Sequence, residues 1–527
     1  MIILGLGGLV NDAACAILVD GKLAAAVEQK KIAHRQRPGE LPAEAIAECL
    51  ALAGVGPGQV DSVAVARPFA DGPDAALHLD LRARFSNSRM LLVDHHAAHA
   101  ASAFYASPFS EAEVLTLDRA GDFTCGARWH ATGNRMELLR EIYYPDSLGS
   151  LYGRVTELLG FEANADEHKI QWLSTSGADT LTPLFREILC RGKDGNGPVR
   201  LEPSFFDANR AHGGGFSAKF FERLGLEDGA AIPEPLKAGI ARGVQTAVEE
   251  TVVEMAGTGG NLCVAGGLFF NALLVRALET SGRWKNVFVQ PAAGNAGTAL
   301  GAVWYAWHVA FQRKERAAAP DLFLGPEYAP EAIKRVLENC KLRFQYVLTT
   351  GELLETAVRL IGEHKIIAWM QGRMEFGPRA LGNRSILASP LDPYSTENLN
   401  LFIKHREPFR KFAASVPAEL AGEYFETGGN ARFLATVGRV KPAHKKTFAS
   451  AILGDGLVRV HTVDAADNPL YHKLLHAAGK ATGLPVLYNT SFNLFSDPMV
   501  CTPRDAVRSF YSSGIDALFA GNFLIEK

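Results

Sequence analysis

One layout occurs twice in the first third of this chain, and it constrains the fold more than any other feature. Ile2 to Leu6 reads as a strand; after a loop holding Asn11-Asp12, Ala14 to Val19 and Lys22 to Glu28 flank an Asp20-Gly21 pair. Asp-Gly between two β-rich runs favours a two-residue hairpin, because both central residues of that turn take positive φ. Leu41, Ala45, Ile46, Cys49, Leu50 and Leu52 then recur at helical spacing, and Ser62 to Ala66 returns to strand character. The layout restarts with a strand at Val114 to Asp118, turns at Gly121-Asp122 and comes back through Phe123 to His130. An acidic residue lies in the first loop of each half, Asp12 and then Asp118. The pattern predicts an α/β protein with a duplicated, ribonuclease-H-like N-terminal domain; periodicity alone leaves a generic α/β domain as the alternative.

Paired hairpin loops with acidic residues are the layout of the actin, Hsp70 and sugar-kinase superfamily, in which they face nucleotide phosphates across a cleft. The apolar pattern is interrupted between Trp307 and Ala329 by Arg313-Lys314-Glu315-Arg316, small residues and Pro320. This predicts one domain over 1–335 and a second over 341–527. The second contains a helix at Leu353 to Glu363, a strand at Ile366 to Met370 and a Gly/Arg-rich segment from Gln371 to Ser385.

Charge narrows the partners. Lys+Arg 54 against Asp+Glu 57 leaves a net charge of -3 over 527 residues, so no polybasic surface for nucleic acid is expected. The N-terminus has no basic leader, and the apolar run Leu262 to Val275 is broken by Asn271, so no membrane span is expected and the compartment reads as cytoplasmic. The 7 cysteines are scattered without a C-x-x-C pair, which argues against disulfides and a thiolate zinc site.

Five segments carry chemistry. Asp94-His95-His96-Ala97-Ala98-His99 puts His95 and His99 at i and i+4 on one helix face, the spacing that lets two imidazoles meet one metal, with Asp118 as a third ligand. A hydrogen-bonded structural cluster is the other reading. Gly266-Gly267, after a strand at Leu262 to Ala265, lets a nucleotide approach the backbone, with Asn271 a turn further on; an ordinary strand-to-helix turn fits equally well. Pro291 to Gly297 is a second small-residue turn, opening a helix over Thr298 to Trp307. Arg373, Arg379 and Arg384, then Lys404, Arg406 and Arg410, crowd cations among Phe376, Leu381, Phe402 and Phe412, which suits phosphate guests better than a solvated face. Asn489-Thr490-Ser491-Phe492-Asn493 follows a strand expected at Leu484 to Tyr488, where polar groups at a strand end face a ligand.

These segments resemble the carbamoyltransferase family that includes nodulation protein U and the antibiotic-tailoring O-carbamoyltransferases, over essentially the whole chain. The resemblance rests on DHHAAHAASAFY (Asp94 to Tyr105), SLGSLY (Ser147 to Tyr152), AGG with Asn271, QPAAGNAGTALGA (Gln290 to Ala302), GRMEFGPRALGNRS (Gly372 to Ser385), Lys404 to Ser415 and NTSFN (Asn489 to Asn493). It implies an actin-like transfer domain followed by a YrdC-like domain that makes carbamoyl adenylate from carbamoyl phosphate and ATP with Mg2+. Arg379, Lys404, Arg410, Arg459, Asn489, Ser491 and Asn493 would bind those substrates, and Gly266, Gly267 and Asn271 the nucleotide. His95, His99, Asp118 and Asn295 would hold Fe2+ or a similar divalent metal, and a small hydroxylated acceptor, a secondary metabolite, would take the carbamoyl group.

The family pattern is also broken in places. Its His-Asp pair is Asn11-Asp12 here, and an amide supplies no general base, so Asp12 or a water must substitute. An aspartate among its metal ligands is Asn295, its Asp-Gly is Asp118-Arg119, and Lys-Val-Met-Gly is Lys169-Ile170-Gln171-Trp172. Arg-Pro-Phe-Ala-Pro has become Arg410-Lys411-Phe412-Ala413-Ala414, and Gly-Glu-Pro has become Ser496-Asp497-Pro498. The changes concentrate on transfer, so a second reading stands beside the enzyme: a nucleotide- or adenylate-binding homologue without efficient transfer, acting with an active paralogue. The reading allows a homodimer as well. Divergent segments, His212 to Gly215 among them, would shape the acceptor pocket.

Overall fold

The computed structural model describes residues 1–35, 38–68, 75–190, 199–210, 213–317, 321–494 and 497–527. His212, Pro320 and Ser496 lie outside the described residues. By internal contacts the chain divides into two compact units, one of Met1–Val93, Asn295–Ile452 and Gly456–Lys527, the other of Asp94–Gly294 with Leu453–Asp455.

The first unit opens with β1 (Ile2–Gly7), β2 (Ala14–Val19), β3 (Lys22–Glu28), β4 (Ser62–Ala66) and β5 (Arg89–Val93), in the order β3-β2-β1-β4-β5. Asp20 and Gly21 take φ 47 and 81, the positive values the Asp-Gly turn requires. β1, β2 and β3 are antiparallel, whereas β4 and β5 join parallel to β1. Leu4, Leu6, Cys15, Ile17, Val63 and Val65 point to one buried layer, covered by Ala45, Ile46, Cys49 and Leu50 of the helix Ala43–Ala53. The helix Gly297–Trp304 closes on the other face so tightly that a Cβ at Gly5 would stand 2.4 Å from the Ala299 carbonyl.

The second unit repeats the plan. β6 (Glu111–Gly121), β7 (Thr124–Thr132) and β8 (Arg135–Tyr143) are antiparallel neighbours. β9 (Leu189–Cys190) and β10 (Arg200–Leu201) form a separate ladder. β11 (Gly259–Ala265) and β12 (Trp284–Val289) then join parallel to β6 in the order β12-β11-β6-β7-β8. Each five-stranded sheet therefore has a meander followed by two parallel strands, the ribonuclease-H-like order. The duplicated α/β layout expected from the sequence is present.

The first unit also holds a ten-stranded sheet. Its members are β13 (Gln345–Tyr346), β14 (Ile367–Met370), β15 (Arg384–Ala388), β16 (Ala413–Pro417), β17 (Phe425–Glu426), β18 (Val437–Val440), β19 (Leu457–Val463), β20 (Leu487–Ser491), β21 (Ala517–Ala520) and β22 (Phe523–Glu526), in the order β13-β22-β21-β14-β15-β20-β16-β19-β18-β17. The side-chain period of two separates its faces: Ile367 and Trp369 enter one core and Ala368 and Met370 the other. The strand expected at Leu484 to Tyr488 runs instead from Leu487 to Ser491, pairing Asn489 with Leu387 and with Ala413. Asn489 to Ser491 are thus inside a central strand, with only Phe492-Asn493 beyond it; the neighbouring strands, not local polarity, set its limits.

Candidate functional site

The helix His95–Ala106 follows β5 directly and is buried along its whole length. One turn brings the imidazoles of His95 and His99 to the same side, ring centroids 4.6 Å apart. The end of β6 supplies the third group: Asp118 Oδ2 accepts from His95 Nε2 at 3.0 Å and from His99 Nε2 at 3.2 Å. Burial acts to raise the Asp118 carboxyl, but the hydrogen bonds from the two histidines hold it well below the usual carboxylate range. His96 faces away, onto Thr116 Oγ1 and the Thr124 carbonyl, and burial together with repulsion from His95 and His99 takes it down to about 3.

Two imidazole nitrogens and a carboxylate oxygen converging on one point form a donor set that suits a divalent transition metal, so these residues fit such an ion. The surroundings hold the set in place. A Cβ at Gly121 would lie 2.2 Å from His95 Cδ2, and one at Gly149 would lie 2.8 Å from the Arg119 nitrogen. Ser147 Oγ donates to the Arg119 carbonyl at 2.7 Å and caps the helix Leu148–Leu158 by accepting from Ser150 N–H, tying SLGSLY to the Asp118 turn. Sequence analysis placed Gly121 in a turn and Ser147 in the SLGSLY motif without connecting either to the His95, His99 and Asp118 cluster; a glycine at the end of the strand that carries Asp118 was the available signal.

Gly266 and Gly267 lie beside this centre. Gly266 takes φ 103, and a Cβ there would stand 2.1 Å from the Leu117 carbonyl, so close packing on β6 already demands glycine. A Cβ at Gly267 would stand 3.0 Å from Asp118 Oδ1. Asn271 is an N-cap: Oδ1 accepts from Leu273 and Leu274 N–H, each at 3.1 Å, and Nδ2 donates to Gln245 Oε1 at 2.7 Å. Gln171 Oε1 accepts from Ala272 N–H at 3.0 Å, and Trp172 beside it is buried. Asn295 belongs to the other unit, where its buried Oδ1 has no hydrogen-bond partner among the described residues.

A second constellation lies entirely within the first unit. The sheet register sets Asn489, Ala413 and Arg459 side by side on β20, β16 and β19, while Ser491 pairs with Ser385 on β15. Arg410 precedes β16, and Lys404 and Arg406 come from the turn before it. Burial draws the Arg459 guanidinium well below its ordinary value, with Arg379, Arg406 and Arg410 adding repulsion. Burial and then Arg410 bring Arg379 down to about 10 and Arg406 to about 9. Lys404 is lowered by burial, then by Arg406 and Arg410. The fold thus gathers five cations, four of which the family resemblance assigned to substrate binding; the fifth, Arg406, was named only in the cation-rich segment. Its ring contact on Phe412 at 4.4 Å and its buried Nη2, without a hydrogen-bond partner among the described residues, single it out.

Lys404 is anchored as well as charged. Its Nζ donates to the Ser491 carbonyl at 2.5 Å, the Asn493 carbonyl at 2.9 Å and Asn493 Oδ1 at 2.7 Å. Asn489 Nδ2 donates to the Ala380 carbonyl at 3.1 Å. Arg373 and Arg384 are used differently, spending their donors on carbonyls of Ala24, Gly325, Gln371 and Pro326. Asp12, at φ 62, lines a cleft of about 210 Å³ with Glu28, Lys31, Gly377, Ser491 and Asn493. Asn11 is exposed in the same loop.

Residues 73–304 match the family model of the carbamoyltransferase N-terminus and residues 358–527 that of the carbamoyltransferase C-terminus. Nodulation protein NolNO of Sinorhizobium fredii is 30% identical over 98% of this chain and 79% of its own. The chain belongs to the carbamoyltransferase family. An uncharacterized protein of Synechocystis, sll1178, is 32% identical to this carbamoyltransferase over 100% of the chain and 96% of its own, and nodulation protein U of Rhizobium tropici is 26% identical over 92% and 90%. Among solved structures, component A of the Acidaminococcus fermentans (R)-2-hydroxyglutaryl-CoA dehydratase aligns with 58% of the chain at 15% identity and TM-score 0.36, a likeness too slight to bear on function. Both constellations fall inside the matched segments. Among the described residues no helix is long and apolar enough to cross a membrane.

Proposed function

We propose that this carbamoyltransferase activates carbamoyl phosphate with ATP and passes the carbamoyl group to a hydroxyl of a small acceptor, a secondary metabolite. The observation that carries the reading is the half-buried cluster of Arg379, Lys404, Arg406, Arg410 and Arg459, five neighbouring cations whose mutual repulsion a bound anion would relieve. Activation belongs to the 341–527 segment, which we read as a YrdC-like adenylate-forming domain, and transfer to the actin-like 1–335 segment. Atom balance sets the steps: water takes the phosphate off carbamoyl phosphate, the freed carbamate oxygen attacks the α-phosphorus of Mg2+-bound ATP, and carbamoyl adenylate and pyrophosphate result. Arg379, Arg410 and Arg459 neutralise the phosphates, and Lys404, fixed by Ser491 and Asn493, stands as a point charge beside them.

In transfer, the acceptor hydroxyl attacks the carbamoyl carbon and AMP leaves. His95, His99 and Asp118 would hold a divalent ion of the iron class, which when bound supplies Lewis-acid polarisation of an oxygen. Asp12 is the carboxylate available to take the proton, because Asn11 has no basic site. Cytoplasmic ATP suits this chemistry.

Asn11 also favours a second reading, a homologue that binds the adenylate without transferring efficiently. One paired assay separates the two: pyrophosphate release with ATP and carbamoyl phosphate, and mass-spectrometric detection of carbamoylated products from candidate hydroxyl compounds. Carbamoyl-phosphate-dependent pyrophosphate with product supports the enzyme; pyrophosphate without product over a broad acceptor set supports the second; neither one overturns both.

A further inference from the structure

A different cluster on the ten-stranded sheet repeats the geometry of the buried His/Asp centre. His472 and His476 stand at i and i+4 on the helix Pro469–Thr482, ring centroids 4.6 Å apart. Glu419, two residues beyond the end of β16, brings a carboxylate between them: Oε1 accepts from His472 Nε2 at 3.0 Å and from His476 Nε2 at 2.7 Å. Both imidazoles therefore aim the same nitrogen at one oxygen, as His95 and His99 do at Asp118.

The distances are close to those a metal requires. Zinc holds imidazole nitrogen and carboxylate oxygen at roughly 2.0–2.2 Å in a tetrahedron, which puts neighbouring ligand atoms about 3.3 Å apart. The observed 3.0 and 2.7 Å fall about 0.3 and about 0.6 Å short of that value, a gap that small side-chain rotations close. Side-chain exposures of 15% for His472, 37% for His476 and 52% for Glu419 leave one direction open to water, so a fourth ligand has access. Two nitrogens and one oxygen suit zinc and its first-row neighbours, and not calcium or magnesium, which want all-oxygen shells.

We propose that Glu419, His472 and His476 form a second metal site, exposed at the surface, for a divalent cation of the zinc class. Its place in the sheet gives it a consequence. The helix Pro469–Thr482 is the crossover from β19 to β20, and Glu419 follows β16, so the ion ties together the ends of the three strands that carry or adjoin Arg459, Ser491 and Arg410. It does so beyond the far end of β16, whose last residue lies about 13 Å of extended chain from the Arg459 register. Bound metal therefore stiffens the platform of the cation cluster without touching its guests.

The test uses the full chain, stripped with chelator and dialysed against Zn2+, with bound metal measured by elemental analysis in wild type, His476→Ala, Glu419→Gln and His95→Ala. Wild type is expected to bind one equivalent more than His476→Ala and one more than Glu419→Gln, while His95→Ala retains the equivalent those two lose. Co2+ in place of Zn2+ should give visible ligand-field bands in His95→Ala that disappear when His476→Ala is added. Zn2+ should raise the melting midpoint of wild type above that of His476→Ala. Equal zinc in wild type, His476→Ala and Glu419→Gln would overturn the site. So would loss of all bound metal in His95→Ala. Glu419→Gln keeps both imidazoles and the side-chain volume, so its result stands even where the alanine variant folds poorly.

Discussion

Arg406→Met separates what the cation cluster does to the fold from what it does for a ligand, because the two effects have opposite signs. Burial and then Arg410 take the Arg406 guanidinium down from its ordinary value to about 9. At ~1.36 kcal/mol per pH unit, that gap makes the charge unfavourable by about 5 kcal/mol at most. Arginine keeps its proton, so the folded state without ligand carries this as lost stability. Methionine leaves an apolar stem on Phe412 and removes the charge. It gives up the cation–π contact at 4.4 Å, about 1 kcal/mol, and the 2.8 Å hydrogen bond to Asn400 Oδ1, about another. We expect the ligand-free variant to be more stable than wild type by about 1–3 kcal/mol. With carbamoyl phosphate and ATP the order reverses, since a lost charge-assisted hydrogen bond weakens anion binding by about 1.5–3 kcal/mol, roughly tenfold to a hundredfold. Urea unfolding with and without the two substrates reads both effects. A variant less stable than wild type without ligand, yet protected as strongly by ligand, would refute the reasoning.

Lys404→Ala should slow carbamoyl-phosphate-dependent pyrophosphate release by about a hundredfold or more, since it removes a charge facing phosphate and the anchor of Ser491 and Asn493; a loss under threefold would take Lys404 out of activation. Asp118→Asn should lower metal content after purification, measured by elemental analysis, because an amide replaces the anionic ligand between two imidazoles; unchanged metal would place the ion elsewhere. Asn11→His should raise transfer to water or a surrogate alcohol, a general base commonly contributing about 10²–10⁴-fold, with pyrophosphate release unaltered; equal product from both proteins would show that this position limits neither step. Gly266→Ala should destabilise the protein by at least about 2 kcal/mol in thermal or urea unfolding, its Cβ meeting the Leu117 carbonyl at 2.1 Å on a backbone at φ 103.

The sequence by itself determined the duplicated sheet, the hairpin bounds Ala14–Val19 and Lys22–Glu28, and the pairing of His95 with His99. All of these are set by neighbours in the chain: Asp-Gly chooses its turn, period two chooses a strand face, and i, i+4 chooses a helix face. Tertiary structure alone decided the rest. Nothing local distinguishes Arg373 and Arg384, which donate to backbone carbonyls, from Arg379 and Arg406, which join the cation cluster; the difference arises from which strands the sheet sets side by side. The same holds for Asn489, whose strand ends where β15 and β16 stop pairing with it, and for Glu419, which meets His472 and His476 across more than fifty residues of chain. A guanidinium or carboxylate takes its role from its partners and its exposure to water, and both are fixed only when distant segments pack together.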